Sequence, residues 1–507
     1  MIRKQVSSKT AELNLLLNEL DCEVAYYSKQ TQMKTFLKFF LTLLLIHIVI
    51  QGYSISTLND SVATLKIKAN LYKNQTLYFD SPPPSNNRIP INLDSNGCGS
   101  ISIPVKRKFF GVLYLAYKGP LSQFFIDKGY DLVFSTTKGR AFFSGRGAEI
   151  NNYLHQSQVL LNQLNDSVNS IDDEIFGLNK FIRLSKSCDQ KLKNLYKIYS
   201  EKYFPDKELD YLLRANMQSS ILFVKEDYIS NIKQNEIDSL NIENKLGLRE
   251  NNLLKDTLFI QCPSDDYGEY LTTVNDRYLL NAGCYKSHNI DSSINTIINT
   301  NKYSKQVKEF LLYDKLILSL ALGGPIASLD SIAHKIYEKD FIHSEYEILF
   351  NNFRNEFNTL MPDNPAPPLQ GISPDGKVYS LTDFKGKVIF VDIWATWCGP
   401  CVEALPHVQE LQQQYKDNKD IVFIFLSNDS KEGDWKRYLF NHPEFKGIHL
   451  RARREEKKED EQYKKLWKVS GIPRYMLIDK QGNIVDAFAD HLSYVKIKEE
   501  IEKTLMK

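Results

Sequence analysis

The sequence lacks an excess of charge of either sign and any repeat of fixed period. Its 507 residues include 64 Lys and Arg against 62 Asp and Glu, which gives a net charge of +2. This balance creates no field that would attract nucleic acid or an anionic surface, so we expect no nucleic-acid partner. The chain is too long for one ordinary core, and its length predicts about three domains.

Long uncharged apolar runs are also scarce. The run Phe39 to Ile50 is 12 residues long, too short for a typical membrane-spanning helix but right for the core of a signal peptide. Residues 33–52 therefore predict an export signal with cleavage after Gly52, and a periplasmic or cell-envelope location. Two interpretations of residues 1–32 stay open: an over-extended start upstream of Met33, or a cytoplasmic tail before an uncleaved membrane anchor.

The sequence has few cysteines for its length, and it lacks a set of four residues spaced to bind one metal ion. Only one CxxC occurs, and His155, His288, His334 and His343 are scattered without metal-ligand spacing, so a structural zinc site is not expected. We predict neither a metal nor a cofactor. Apart from Cys22 and the CxxC, the chain has four cysteines, Cys98, Cys188, Cys262 and Cys284. Two interpretations of these four stay open: they form structural disulfides, or they are buried thiols. Cys262 and Cys284 are the nearest pair in sequence.

The pattern of the chain changes along its length. Residues 54–150 alternate apolar and polar side chains between turn-forming segments, which predicts a β-sandwich-like domain. Residues 151–355 are poor in Pro and repeat Leu and Ile at helical spacing, which predicts a helical region. Residues 356–368 carry four prolines in a short stretch and predict an extended linker.

Residues 369–507 alternate strands with helices. We expect strands at Val388–Trp394, Ile421–Ser427, Tyr475–Ile478 and Ile484–Phe488, and a terminal helix through Ile497 to Leu505. Shorter helices are expected around Trp435 and near Tyr463. This order predicts an α/β sheet with helices on both faces. The mixed charges of 451–461 predict a solvated helix face.

The most informative run is Val391-Asp392-Ile393-Trp394-Ala395-Thr396-Trp397-Cys398-Gly399-Pro400-Cys401, followed by Gly471-Ile472-Pro473. Together with residues 477–485, this run resembles the thioredoxin superfamily. The signal-like segment, the Pro-rich entry and residues 376–387 resemble its bacterial envelope branch, the TlpA and ResA type. The region before residue 356 more weakly resembles the N-terminal extensions that Bacteroidetes attach to such domains.

The CxxC predicts a redox-active dithiol. A strand that turns into a helix at Cys398 places this thiol at a helix N-terminus, where the dipole and unpaired N–H groups favour the thiolate. We therefore predict Cys398 as the nucleophile. Cys401 lies one helical turn away and is predicted to resolve the mixed disulfide. Gly399 lets a substrate approach, and Pro400 is tolerated in the first helical turn.

Further site residues are implied by the resemblance. Asp392 matches the buried carboxylate that exchanges a proton with the resolving cysteine, and burial would raise its pKa. Pro473 matches a cis proline that faces the two cysteines, and Ile472 would pair with the backbone of a substrate. Trp397 is expected at the rim of the site and Trp394 in the core. The Glu that the branch often places three residues after its second Cys is Ala404 here, so claims built on that Glu do not transfer.

The resemblance implies a thiol-disulfide oxidoreductase of the envelope that acts on protein disulfides and dithiols. It also implies a membrane-bound electron donor, with cytochrome c maturation as one setting. The Gly-Pro pair is that of thioredoxin, with a potential of roughly −270 mV against about −120 mV for the oxidant DsbA, which favours a reductant. A peroxiredoxin is disfavoured because Val391 and Ala395 replace its Pro and Thr. The alternative is a partner-binding envelope protein in which residues 54–355 dominate and the redox domain is delivered to one client.

Overall fold

The structure is a computed structural model that describes most of the chain beyond residue 61. The described residues are 62–81, 88–115, 119–137, 140–169, 174–230, 232, 241–248, 252–284, 290–324, 327–452, 462–489 and 494–507. The predicted segments 1–32 and 33–52, and most of the charged segment 451–461, lie outside them. Two compact units result, one holding the residues up to Phe79 with Ile89–Gln156, the other holding Asp80–Arg88 with Ser157–Lys507.

The first unit contains two four-stranded sheets. Their orders are β4-β1-β7-β8 and β3-β2-β5-β6. β1 runs antiparallel to β4 and parallel to β7. The strands are β1 (Val62–Ala69), β2 (Thr76–Asp80), β3 (Arg88–Asn92), β4 (Cys98–Pro104), β5 (Phe109–Leu115), β6 (Gly119–Ile126), β7 (Asp131–Thr137) and β8 (Arg140–Arg146).

Aromatic side chains join the two sheets. Phe124 of β6 is fully buried, and its ring lies 6.0 Å from that of Phe79 in the same sheet. The same ring lies 6.0 Å from Phe134 and 4.9 Å from Phe143, which belong to the other sheet. Side chains from both sheets thus share one core, as in a sandwich. The prediction of a β-rich N-terminal region is confirmed.

The middle of the chain is helical, which confirms the prediction from leucine and isoleucine spacing. Its helices are α1 (Ala148–Asn169), α2 (Glu174–Tyr203), α3 (Lys207–Ser230), α4 (Ile242–Leu246), α5 (Asp265–Asn281), α6 (Ile290–Asn299), α7 (Lys305–Gly323), α8 (Ala327–Lys339) and α9 (Glu345–Asn355). Ser264 and Ser304 cap α5 and α7 through their side chains.

Among the described residues, the four cysteines outside the CxxC carry thiols and not disulfides. Cys188, Cys262 and Cys284 are buried, whereas Cys98 is exposed. Cys284 and Cys262 do not pair, since the Sγ of Cys284 lies 3.2 Å from the hydroxyl of Thr296 and accepts a hydrogen bond from Ser292. For Cys188, Cys262 and Cys284 the structure therefore favours buried thiols over structural disulfides.

The C-terminal part of the second unit is a seven-stranded sheet of order β10-β9-β13-β12-β11-β14-β15. Its strands are β9 (Gln370–Ile372), β10 (Val378–Ser380), β11 (Val388–Trp394), β12 (Ile421–Ser427), β13 (Ile448–Ala452), β14 (Arg474–Ile478) and β15 (Ile484–Ala489). The associated helices are α10 (Gly399–Gln414), α11 (Glu432–Asn441), α12 (Gln462–Leu466) and α13 (Tyr494–Leu505). This arrangement confirms the thioredoxin-like α/β fold.

β11 is the central strand, and every one of its side chains is buried. It pairs in parallel with β12 and antiparallel with β14. Alternate residues enter two different cores: Phe390 and Trp394 face the core that contains α10, whereas Val391 and Ile393 face the other. The sheet therefore carries an apolar layer on each face, as the strand order predicted.

The Pro-rich segment before this sheet is hydrogen-bonded to it. The backbone N–H of Asp363 donates to the carbonyl of Ile484, and the N–H of Ile484 donates to the carbonyl of Asn364, each at 2.8 Å. Ala366 donates to the carbonyl of Gly482 at 3.0 Å. The segment thus runs beside the start of β15. Among the described residues, no helix is both long enough and apolar enough to cross a membrane.

Candidate active site

The turn from β11 into α10 places the two CxxC cysteines. Cys398 is the residue before α10, and its Sγ accepts a hydrogen bond from the backbone N–H of Cys401 at 3.2 Å. Cys401 lies in the first turn, after Pro400, and the two cysteines form a disulfide. Only 6% of Cys398 and 2% of Cys401 is exposed. This pair is therefore shielded, with Cys398 the more accessible of the two.

The surroundings of Cys398 are open on the side of Gly399 and Trp397. A Cβ added to Gly399 would meet no atom within 4 Å. The side chain of Trp397 is 65% exposed, whereas that of Trp394 is fully buried against the rings of Tyr438 and Phe445. A polypeptide can therefore approach the disulfide from the side of Trp397 and Gly399 without displacing a side chain of the core.

The loop that precedes β14 lies against the disulfide. The peptide bond between Ile472 and Pro473 is cis. The carbonyl oxygen of Ile472 lies 3.7 Å from the Sγ of Cys398. Although 74 residues separate them in sequence, Cys398 and Ile472 thus share one surface.

Asp392 lies beneath this surface. It alternates with Phe390 and Trp394 along β11 and so points to the face covered by α10, where Cys401 is also buried. Only 2% of Asp392 is exposed, and its Oδ1 has no hydrogen-bond partner among the described residues. Burial raises the pKa of the Asp392 carboxyl well above its ordinary value, because the charged form loses its hydration there.

A second buried carboxylate, Asp429, fixes the loop that leads to Cys398. It accepts hydrogen bonds from the backbone N–H of Thr396 at 3.1 Å and from the Thr396 hydroxyl at 2.7 Å. The hydroxyl of Ser427 donates to it at 2.7 Å. Sequence reasoning missed this residue, although its position two residues after β12, a strand that runs parallel to β11, was a usable signal.

The structure thus brings the sequence-predicted residues Cys398, Cys401, Ile472 and Pro473 together at one end of the sheet, with Asp392 below them. Within the residues that the structure describes, no group of three or more His, Cys, Asp or Glu side chains is arranged to hold a metal ion. A buried disulfide beside an open surface and above a buried carboxyl of raised pKa is suited to exchange with a second disulfide or dithiol.

Comparisons with known proteins place this site in a family. A family model described as thioredoxin-like matches residues 386–484. The thiol-disulfide oxidoreductase ResA of Bacillus cereus is 32% identical over 159 residues, which make up 31% of this chain and 85% of the relative. ResA of Bacillus thuringiensis subsp. konkukian is 32% identical over 28% of this chain and 75% of the relative. The solved thioredoxin domain of a thiol-disulfide oxidoreductase from Bacteroides vulgatus is 27% identical, with a TM-score of 0.24 over 28% of this chain and 99% of that chain.

Proposed function

Because the chain belongs to the TlpA/ResA-like thiol-disulfide oxidoreductases of the thioredoxin superfamily, we propose that it reduces disulfides of protein substrates through Cys398 and Cys401. The observation that carries this proposal is the position of Cys398, which lies at the start of α10 and 3.7 Å from the Ile472 carbonyl. A thiolate at a helix N-terminus is stabilised by the dipole, and the neighbouring loop offers backbone groups to a bound polypeptide.

The first step is attack on the substrate. The thiolate of reduced Cys398 bonds to one sulfur of the substrate disulfide, the S–S bond breaks, and the other substrate sulfur leaves as a thiolate that takes a proton. The substrate segment pairs with the backbone of Ile472 beside Pro473. Gly399 leaves room for this segment, because a side chain there would project into open space.

The second step releases the substrate. Cys401 gives its proton to Asp392, and the resulting thiolate attacks Cys398, which restores the Cys398–Cys401 disulfide and frees the second substrate thiolate. Asp392 suits this role because burial raises the pKa of its carboxyl, which makes it a stronger base than an exposed Asp. The net result is a reduced substrate and an oxidised enzyme.

Each turnover therefore requires an external dithiol donor that reduces the enzyme again. We place this exchange in the periplasm or cell envelope, supported by the signal-like pattern of residues 33–52. We propose that this donor is bound to the membrane. The reducing direction is supported by the Gly399-Pro400 pair, which thioredoxin shares.

The decisive experiment is to trap the intermediate. Without its second thiol, Cys401→Ser should accumulate mixed disulfides on Cys398 that a non-reducing gel resolves and mass spectrometry identifies. Cys398→Ser is the matched control, since it keeps the buried thiol but loses the accessible one, and it should trap far less. Equal trapping by both variants, or disulfide reduction by a variant lacking both thiols, would contradict the proposed mechanism.

A further inference from the structure

The helical region contacts the loop that carries Pro473. The hydroxyl of Ser470 donates a hydrogen bond to the carbonyl of Ala321, in the last turn of α7, at 2.6 Å. A Cβ added to the next residue, Gly471, would lie only 3.1 Å from the Cδ2 of Leu322. The end of α7 therefore lies directly against the loop whose following residue, Ile472, faces Cys398.

Further contacts hold the end of α7 in this position. Gly324 follows the helix with φ +73, and a Cβ there would lie 2.3 Å from the ring of Phe488 in β15. Only glycine allows this close approach in this backbone conformation. The Phe488 ring also packs against Phe357 at 5.7 Å, and Lys468 forms an ion pair with Glu356 at 2.7 Å. The helical region and the residues that follow it thus contact the thioredoxin-like part at β15 and just before the loop, as well as at the end of α7.

Large apolar side chains are exposed on α7 and beside Cys398. Leu318 and Leu322 are 44% and 56% exposed and lie one helical turn apart on α7, so they occupy one face of the helix. Trp397, beside Cys398, is 65% exposed. Single exposed leucines are ordinary on protein surfaces. This pair differs because Leu322 contacts the loop on which a substrate must lie.

We propose that Leu318 and Leu322 extend the substrate-binding surface, so that the helical region selects substrates by an apolar side chain close to their reactive cysteine. The occupant is an extended segment of a protein substrate. A strand that pairs with Ile472 advances about 3.3 Å per residue. A side chain within about two residues of its cysteine therefore reaches the position where Leu322 meets Gly471.

This inference rests on the proposed function and makes Leu322 a specificity-determining residue of the reaction. A methylene group enclosed in an apolar pocket discriminates by roughly 10- to 200-fold, and for Leu322, which is 56% exposed, we expect the lower end of that range. Because Leu318 and Leu322 belong to the helical region, a substrate is recognised by both parts of the second unit. The thioredoxin-like part alone supplies the chemistry.

The test compares two synthetic peptides that each carry one intramolecular disulfide. They differ only at the positions flanking each cysteine, which are Leu in one peptide and Ser in the other. The full chain should reduce the Leu peptide with a kcat/KM at least about tenfold higher than the Ser peptide. Leu322→Asp should bring the ratio of the two kcat/KM values close to one, and the milder Leu322→Ala should lower this ratio. Leu280→Asp is the matched control, since Leu280 is 51% exposed on α5, and it should keep the wild-type ratio.

The outcomes separate this inference from the function on which it rests. If the unmodified protein reduces both peptides equally, or if both Leu322 variants keep the wild-type ratio, Leu322 does not select substrates. If the Leu322 variants instead change the oligomeric state in size-exclusion chromatography and leave the ratio intact, the surface binds a second copy of the chain and the inference is wrong. If the unmodified protein reduces neither peptide, the proposed function itself fails.

Discussion

Replacing Asp392 by Asn should remove a specific pH dependence from the stability of the thioredoxin-like part. Burial raises the pKa of this carboxyl well above its ordinary value, whereas in the unfolded chain the group titrates near about 3.9. Between these two pKa values the folded protein holds a proton that the unfolded chain has released. The free energy of unfolding of the wild type therefore falls with rising pH in this interval, by about 1.4 kcal/mol per pH unit.

The contribution of Asp392 is most favourable below the unfolded pKa, is lost as the pH rises towards the folded pKa, and is constant above it. The Asn variant has no proton to release there. The free energy of unfolding of the Asn variant should therefore rise relative to that of the wild type by about 1.4 kcal/mol with each pH unit inside the interval. With a urea dependence of about 1–3 kcal/mol per molar, the urea midpoints should separate by about 0.5–1.4 M per pH unit.

Tryptophan fluorescence is the suitable probe for these urea titrations. The chain has 4 Trp residues, Trp394, Trp397, Trp435 and Trp467, and all of them lie in the thioredoxin-like part. The exposed Asp417→Asn is the matched control, and its midpoint should follow the wild type at every pH. A constant difference between wild type and Asp392→Asn from about pH 4 to about pH 6 would refute the assignment of a raised pKa to a desolvated carboxyl.

Two other predictions concern the loop before Cys398 and the first unit. Asp429→Ala should lower both the urea midpoint and peptide turnover, because each buried donor left without its acceptor costs about 1–3 kcal/mol. Asp429→Asn keeps one acceptor oxygen and should lose less on both measures; the reverse order would contradict the role of the carboxylate. Phe124→Ala should destabilise the sandwich by about 3–5 kcal/mol in thermal unfolding, because it removes a fully buried ring. Phe142→Ala, where the ring is 45% exposed, should change stability by less than about 0.5 kcal/mol, and similar losses in both would argue against the shared aromatic core.

The strands that could be predicted from the sequence are those with strong local patterns. Val388–Trp394 and Ile421–Ser427 were predicted with the bounds that the structure gives, because long runs of buried apolar residues between turn signals have few other interpretations. The strands β9, β10 and β13 were missed. Two of them are three residues long, and β13 mixes His449 and Arg451 among its apolar residues, so pairing with neighbours, and not local pattern, determines them.

The same distinction applies to the site. Cys398 and Cys401 lie three residues apart in one motif, so their proximity could be inferred from helix spacing, whereas the place of Asp392 beside them was implied by the family resemblance. Asp429 contacts Thr396 from 33 residues away, and Ser470 contacts Ala321 from 149 residues away. Local sequence patterns carry no record of such pairings, because they arise only when separate elements pack. The contribution of α7 to the active-site surface therefore required the structure.

The segment beside β15 has a consequence for how the C-terminal part can be isolated. β15 is the outermost strand of its sheet, and the backbone N–H and carbonyl of Ile484 are both occupied by residues 363 and 364. An uncovered strand edge is a template for pairing between molecules, which leads to aggregation. A fragment that begins at residue 369 would lose this cover, whereas one that begins at residue 362 would keep it. Residues 362–368 therefore protect this edge of the sheet from pairing with another molecule, and a shortened protein should retain them to stay monodisperse.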